Sequence, residues 1–204
     1  NMIKTNYFLF FLCFAFLIIK FISIYSTDFD LFGDEAQYWL WSQNLDFGYF
    51  SKPPLLPWVI ALFCSVFGNS VFAIKMISTL LYCVTSYVVF LISKKLYDDF
   101  DLALLTGVAF FLMPAVSFSS FFVSTDIILI LFWSLSLLQV LIIIEKPKTI
   151  NFVLLGIFVG LAFLAKYAAI YFIFSMIFLL FEKRIRNIFL QNKLSFLLFI
   201  ISLV

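Results

Sequence analysis

Long apolar runs separated by short polar breaks set the architecture of this chain. A hydrocarbon core about 30 Å thick takes roughly 20 helical residues to cross, and the runs at 7–25, 71–93, 102–122 and 127–144 meet that length. Each predicts a transmembrane helix. The first lies where a secretory leader would, but its apolar length exceeds a leader's core and no small-x-small cleavage site follows, so it predicts a retained span. The stretch 152–181 carries Lys166 in its interior and predicts either one overlong helix or two short limbs, 152–165 and 167–181.

Charge sidedness separates these two, because short cytoplasmic loops collect Lys and Arg. With the N-terminus inside, Lys4, Lys94, Lys95, Lys146 and Lys148 fall on the cytoplasmic side after even numbers of crossings. Only the two-limb hairpin returns Lys183, Arg184, Arg186 and Lys193 there, making nine of the 13 basic residues cytoplasmic. At 1.5 Å per residue the first limb reaches about 21 Å, which leaves Lys166 slightly below the outer surface. Residues 194–204 begin a seventh span. The expectation is one unit over 1–204, the N-terminal part of a larger protein whose further helices and soluble domain lie elsewhere, or a truncated product.

The outer loop, 26–70, has its own organisation. A helix is predicted over 34–45, with Asp34, Tyr38, Trp41 and Leu45 on one face. Trp39 and Trp41 suit the headgroup level. A second apolar stretch, 54–67, contains Pro57 and stops at Gly68-Asn69, so it is too short to span and predicts an interfacial helix.

Composition narrows the class. Hydrophobic residues make up 65% of the chain and charged residues 12%, against about 25% charged in soluble domains. This is the composition of an integral membrane protein, and no nucleic-acid partner is expected. The 31 Phe residues partition into hydrocarbon much as Leu and Ile do and carry no chemical weight. Cys13, Cys64 and Cys83 stand singly, so neither a disulfide framework nor a zinc site is indicated. The chain has no histidine, which excludes His bases and His metal ligands and leaves proton transfer to Asp, Glu, Lys or Tyr. No cofactor is indicated, and a divalent cation is left open.

The candidate residues each carry two readings. Asp34 follows Gly33 at a predicted helix start with Gln37 three residues on, the pattern of an N-cap with a capping box. Capping and catalysis are compatible there, because a capped carboxylate stays ionised and fixed. Glu35 either joins it or complements the helix dipole. Lys52 precedes Pro53, Pro54 and Pro57, so its backbone is held extended and its ammonium is presented from a stiff segment on the face that normally avoids Lys. Asp126, in Ser124-Thr125-Asp126, either caps the fourth span or serves a site. An ionisable Lys166 between two apolar limbs is a functional-site hypothesis by default. Lys75 and Lys20, each inside a span, are read as snorkelling outward.

In this topology Asp34, Glu35, Lys52, Asp126 and Lys166 gather near the outer face. Carboxylates beside ammonium groups suit transfer of a group from a phosphate carrier: lysines stabilise the phosphate's growing charge while a carboxylate takes the proton from an attacking hydroxyl. No glycine-rich phosphate loop or Rossmann pattern provides for a soluble nucleotide donor. A lipid-borne donor is the simpler expectation.

At these residues the chain resembles the polytopic glycosyltransferases of the protein O-mannosyltransferase and aminoarabinose transferase superfamily, which share the membrane fold called GT-C. The resemblance lies in Asp34-Glu35-Ala36-Gln37-Tyr38-Trp39, in Gly48-Tyr49-Phe50 with Pro53-Pro54, and in Phe67-Gly68-Asn69-Ser70 with Phe72-Ala73. It continues in Ser124-Thr125-Asp126 and in Gly160-Leu161-Ala162-Phe163-Leu164-Ala165-Lys166-Tyr167. It implies Asp34 as base, Asp126 as a second site carboxylate, and Lys52 and Lys166 as ligands of a polyprenyl phosphate.

The implied reaction moves a sugar from that carrier to a lipid, glycan or protein acceptor at the extracytoplasmic face of a bacterial inner membrane. Gln37 stands where aminoarabinose transferases carry Arg, so neither that sugar nor a lipid A acceptor follows from the resemblance. The alternative classes are a transporter or lipid flippase with Lys166 and Asp126 lining its path, and an inactive remnant of the enzyme.

Overall fold

The computed structural model describes residues 2–26 and 30–203, the side chains of 2–8 and 10 excepted. Among these, every regular element is helical: α1 (Met2–Ser26), α2 (Gly33–Ser42), α3 (Leu55–Phe67), α4 (Val71–Tyr97), α5 (Phe100–Leu112), α6 (Pro114–Ser119), α7 (Thr125–Glu145), α8 (Thr149–Ala165), α9 (Ile170–Leu179), α10 (Lys183–Gln191) and α11 (Lys193–Ser202), with a 3-10 turn at Tyr167–Ala169 before α9. α4 and α7 are long and apolar enough to cross a membrane. The other apolar helices, α3, α5, α8, α11 and the stretches Phe11–Ser26 and Tyr167–Leu179, are shorter. The architecture is that of an all-α polytopic membrane protein.

The central helices are ended by their own side chains. The Ser70 hydroxyl accepts the Ala73 N–H (3.1 Å) to open α4, and Asp99 accepts the Leu102 N–H (3.0 Å) to open α5. Between them Asp98 takes a left-handed conformation (φ 51°), with Lys94 donating to its carbonyl and carboxylate. The chain therefore reverses at once, and α5 packs back along α4.

The expected span at 102–122 is two helices, α5 and α6. Pro114 is the physical reason: it has no N–H and it forces Met113 out of the helical region (φ −54°, ψ 131°). Pro114 then occupies the first position of α6, where its missing donor costs nothing. α2 likewise ends at Ser42, short of the expected Leu45.

The two-limb reading of 152–181 matches the packing. α8 runs antiparallel to α7, since Lys166 meets Asp126 at one end while Phe152 and Leu155 pack with Val140 and Ile143 towards the other. α9 turns back along α7, with the Phe172 ring edge-on to Trp133 at 5.7 Å. α10 lies at the far end, its Phe189 edge-on to Phe152 at 5.3 Å. α11 then rises beside α8, from Ser195 against Thr149 (3.0 Å) to Ser202 on the Val153 carbonyl (3.1 Å). Gly156 and Gly160 permit this approach. A Cβ on Gly160 would stand 2.7 Å from the Leu203 carbonyl oxygen, and one on Gly156 would run into the Ser202 hydroxyl and the Phe199 carbonyl.

Candidate functional site

Five helices meet where α4 and α7 begin. Tyr38 of α2, Leu55 and Leu56 of α3, Ile74 and Ile77 of α4, Val123 and Ile128 around the start of α7, and Ala165 at the end of α8 form one buried cluster. In the chain, the predicted site residues are near neighbours of its members. Asp34 lies one turn before Tyr38, Lys52 three residues before Leu55, Asp126 between Val123 and Ile128, and Lys166 directly after Ala165.

Asp126 and Lys166 are paired: Nζ donates to Oδ1 at 2.6 Å, with the side chains 53% and 35% exposed. Asp126 is the second helical residue of α7, Ser124 occupying the cap position, so the carboxylate turns to the lysine and away from capping. Lys166 has an extended backbone (φ −160°, ψ 135°) that ends α8, which separates its side chain from the helix wall.

Asp34 is exposed at the first turn of α2. It does not cap the helix. The residue before the helix is Phe32, whose N–H donates to Glu35 Oε2 at 2.9 Å, so the capping contact is made two residues earlier than the sequence pattern predicts and by a different carboxylate. Burial holds the Tyr38 phenol above its usual pKa, and the charges of Asp34 and Asp126 both add to that rise. One hydroxyl thus feels the carboxylates of two helices.

Lys52 is half-buried, and the four ion pairs found among the described residues do not include it. The loop before it is folded on α2 and α3. Tyr49 stacks on Trp41 (4.8 Å between ring centroids, 12° between planes) and donates its hydroxyl to the Trp41 carbonyl at 3.1 Å. The Lys52 carbonyl accepts the Tyr49 N–H (3.2 Å), and Trp58 donates to the Asp46 carbonyl (2.9 Å). These contacts fix the backbone that carries Lys52.

Glu35 occupies a different environment from that of a free catalytic carboxylate. It is 2% exposed, and both oxygens are engaged: Oε1 accepts the Val123 N–H at 2.7 Å, and Oε2 accepts Lys75 Nζ at 3.3 Å besides the Phe32 N–H. The apolar neighbours of Lys75 and Lys20 predict outward snorkelling, and the structure turns both inward. Lys75 is 7% exposed beneath Glu35. Lys20 is 2% exposed and donates to the Ser117 carbonyl (3.0 Å) and to the Ser120 hydroxyl. A run of apolar neighbours looks the same around an outward and an inward lysine, so only the tertiary partners distinguish them. Among the described residues no three His, Cys, Asp or Glu side chains group to hold a metal ion.

A family model described as dolichyl-phosphate-mannose-protein mannosyltransferase matches residues 51–204. That span contains Lys52, Asp126 and Lys166; Asp34 and Glu35 precede it. The chain is also 38% identical over 143 residues to the lipid A galacturonosyltransferase RgtD of Rhizobium johnstonii, an alignment covering 70% of this chain and 30% of that protein. No solved structure matches. By sequence match over most of its length, the chain belongs to the dolichyl-phosphate-mannose-protein mannosyltransferase family of GT-C membrane glycosyltransferases.

Proposed function

We propose that this chain carries the donor and base side of an inverting glycosyltransferase site, which moves a sugar from a polyprenyl phosphate to an acceptor hydroxyl at the extracytoplasmic face. One observation carries the reading. Two exposed carboxylates, Asp34 and Asp126, both act on Tyr38 of one buried cluster, Lys166 is paired with Asp126, and Lys52 stands three residues before Leu55 of the same cluster.

In the proposed step Asp34 takes the proton of the acceptor hydroxyl as its oxygen attacks the anomeric carbon. The bond from that carbon to the phosphate oxygen breaks, and the electron pair leaves with the polyprenyl phosphate. Lys52 and Lys166 stabilise the departing phosphate, which needs no acid to protonate it. Asp126 holds Lys166 in place until the phosphate arrives. Glu35, buried and doubly engaged, supports α2 and does not touch the reacting atoms. A single displacement inverts the anomeric centre.

The chain spans about 30% of the length of its galacturonosyltransferase relative, so the assay belongs to the full-length protein in its membranes. The relative's name makes a galacturonosyl donor and lipid A the first substrates to try, followed by other polyprenyl-phosphate sugars with glycan and protein acceptors. Asp34→Asn is expected to lower transfer of labelled sugar by about 10²- to 10⁴-fold, the usual contribution of a general base. Transfer at the wild-type rate in that variant would remove Asp34 from the mechanism.

A further inference from the structure

Between α6 and α7 the chain runs without regular structure from Ser120 to Ser124, with Ser120 and Val123 buried in the protein. Irregular backbone that is buried persists only where partners satisfy its polar groups. Here side chains of three helices do so. Lys20 of α1 donates to the Ser117 carbonyl and the Ser120 hydroxyl. Thr79 and Ser78 of α4 donate to the Ser120 carbonyl (3.2 Å) and the Phe122 carbonyl (2.7 Å). Glu35 of α2 accepts the Val123 N–H, with Lys75 behind it.

Lys20 is the costly member of this bracket. Its ammonium has no carboxylate partner among the described residues and lies 5.1, 5.5 and 5.5 Å from the ring centroids of Phe16, Phe111 and Phe121. Methionine would fill a similar volume without the desolvation cost of a buried charge. What a cation adds is strong, directed donors, and both that are seen point at the segment leading into α7. Asp126 follows Val123 by three residues, so fixing this segment fixes the origin of α7 and the carboxylate that faces Lys166.

We infer that Lys20 is a positioning residue: acting through residues 117–123, it sets the Asp126–Lys166 pair from about the middle of the bundle, with Glu35–Lys75 as the second anchor of the same segment. This rests on the reading that Asp126 and Lys166 belong to the transfer site.

The test uses the full-length protein in membranes, with Lys20→Met, Lys20→Arg, Asp126→Asn and the double variant Lys20→Met/Asp126→Asn. A displacement of about an ångström at a reacting group costs up to roughly 10²-fold. Lys20→Met is therefore expected to lower kcat by about 10- to 100-fold with KM for the acceptor unchanged, and Lys20→Arg to restore most of it. Added to Asp126→Asn, Lys20→Met should lower kcat no further. In the same protein, hydrogen exchange in peptides covering 117–126 should quicken in Lys20→Met while peptides covering 149–165 keep their protection.

Wild-type kcat in Lys20→Met, multiplying effects in the double variant, or faster exchange throughout the bundle would each overturn the inference. If Asp126→Asn itself transfers sugar normally, the site reading fails; exchange at 117–126 then still decides whether Lys20 holds the segment.

Discussion

Asp34 and Glu35 are neighbours in the chain and opposites in the fold. Successive helical residues lie about 100° apart around the axis, so the same first turn of α2 sends one carboxylate to the surface and the other beneath it. The consequences for substitution differ in kind. Glu35→Ala leaves Lys75 buried without its partner, a loss of about 3–5 kcal/mol by the usual cost of breaking a buried pair. Thermal melting in detergent should show it as a large drop. Glu35→Gln keeps an acceptor for the Val123 N–H and should fall between alanine and wild type, whereas Asp34→Asn should melt normally and fail only in transfer.

Tyr38 gives a pH prediction of definite sign. Its phenol is raised by burial first and then by Asp34 and Asp126, so the protonated form is favoured in the fold. That stabilisation is complete below the ordinary phenol value near 10 and is lost as pH climbs through the higher folded value. Tyr38 therefore stays neutral up to about pH 9, and Tyr38→Phe should leave the shape of the pH–rate profile between about 6 and 9 unchanged. At this scale the sequence displays Asp34, Lys52, Asp126 and Lys166 because they interrupt or border apolar runs. It conceals Lys20, Lys75 and the duty of Glu35, since a charge inside a run has the same neighbours whether it faces lipid or protein.

Element boundaries were set by residues that hydropathy averages away. Pro114 is one residue among many apolar ones, so the run 102–122 keeps the length of a single span while its backbone cannot continue as one helix. Gly156 and Gly160 are similarly quiet in a hydropathy plot, yet their spacing puts two missing side chains on one face of α8 and lets α11 close on it. Gly156→Leu and Gly160→Leu should each push α11 away from α8. The expected cost is at least the ~1–3 kcal/mol of an overpacked core, read as a lower melting point with earlier proteolysis after Lys193. Leucine at Ile157, which is exposed on another face of α8, is the matched control and should change neither.

The molecule as a whole is polarised. Lys94, Lys95, Lys146, Lys148, Lys183, Arg184, Arg186 and Lys193 lie towards the end where α4 and α7 finish and α10 lies, whereas Lys52, Lys75 and Lys166 lie towards the other. Lys4 belongs to the first group by the charge argument and falls outside the described side chains. The alternation of apolar runs and basic loops makes this polarity legible in the sequence, because sidedness depends on summed charge and not on the partner of any one residue. With Cys13, Cys64 and Cys83 replaced, new cysteines at positions 34 and 166 should react with an impermeant thiol reagent from one side of sealed vesicles. Cysteines at 95 and 184 should react only from the other, and labelling of 34 and 166 from opposite sides would separate the two halves of the site. The Lys166–Asp126 contact also ties α7 to α8 at their tips. Under the proposed chemistry an arriving phosphate competes with a carboxylate that already holds the lysine, so donor capture and release become an exchange of partners.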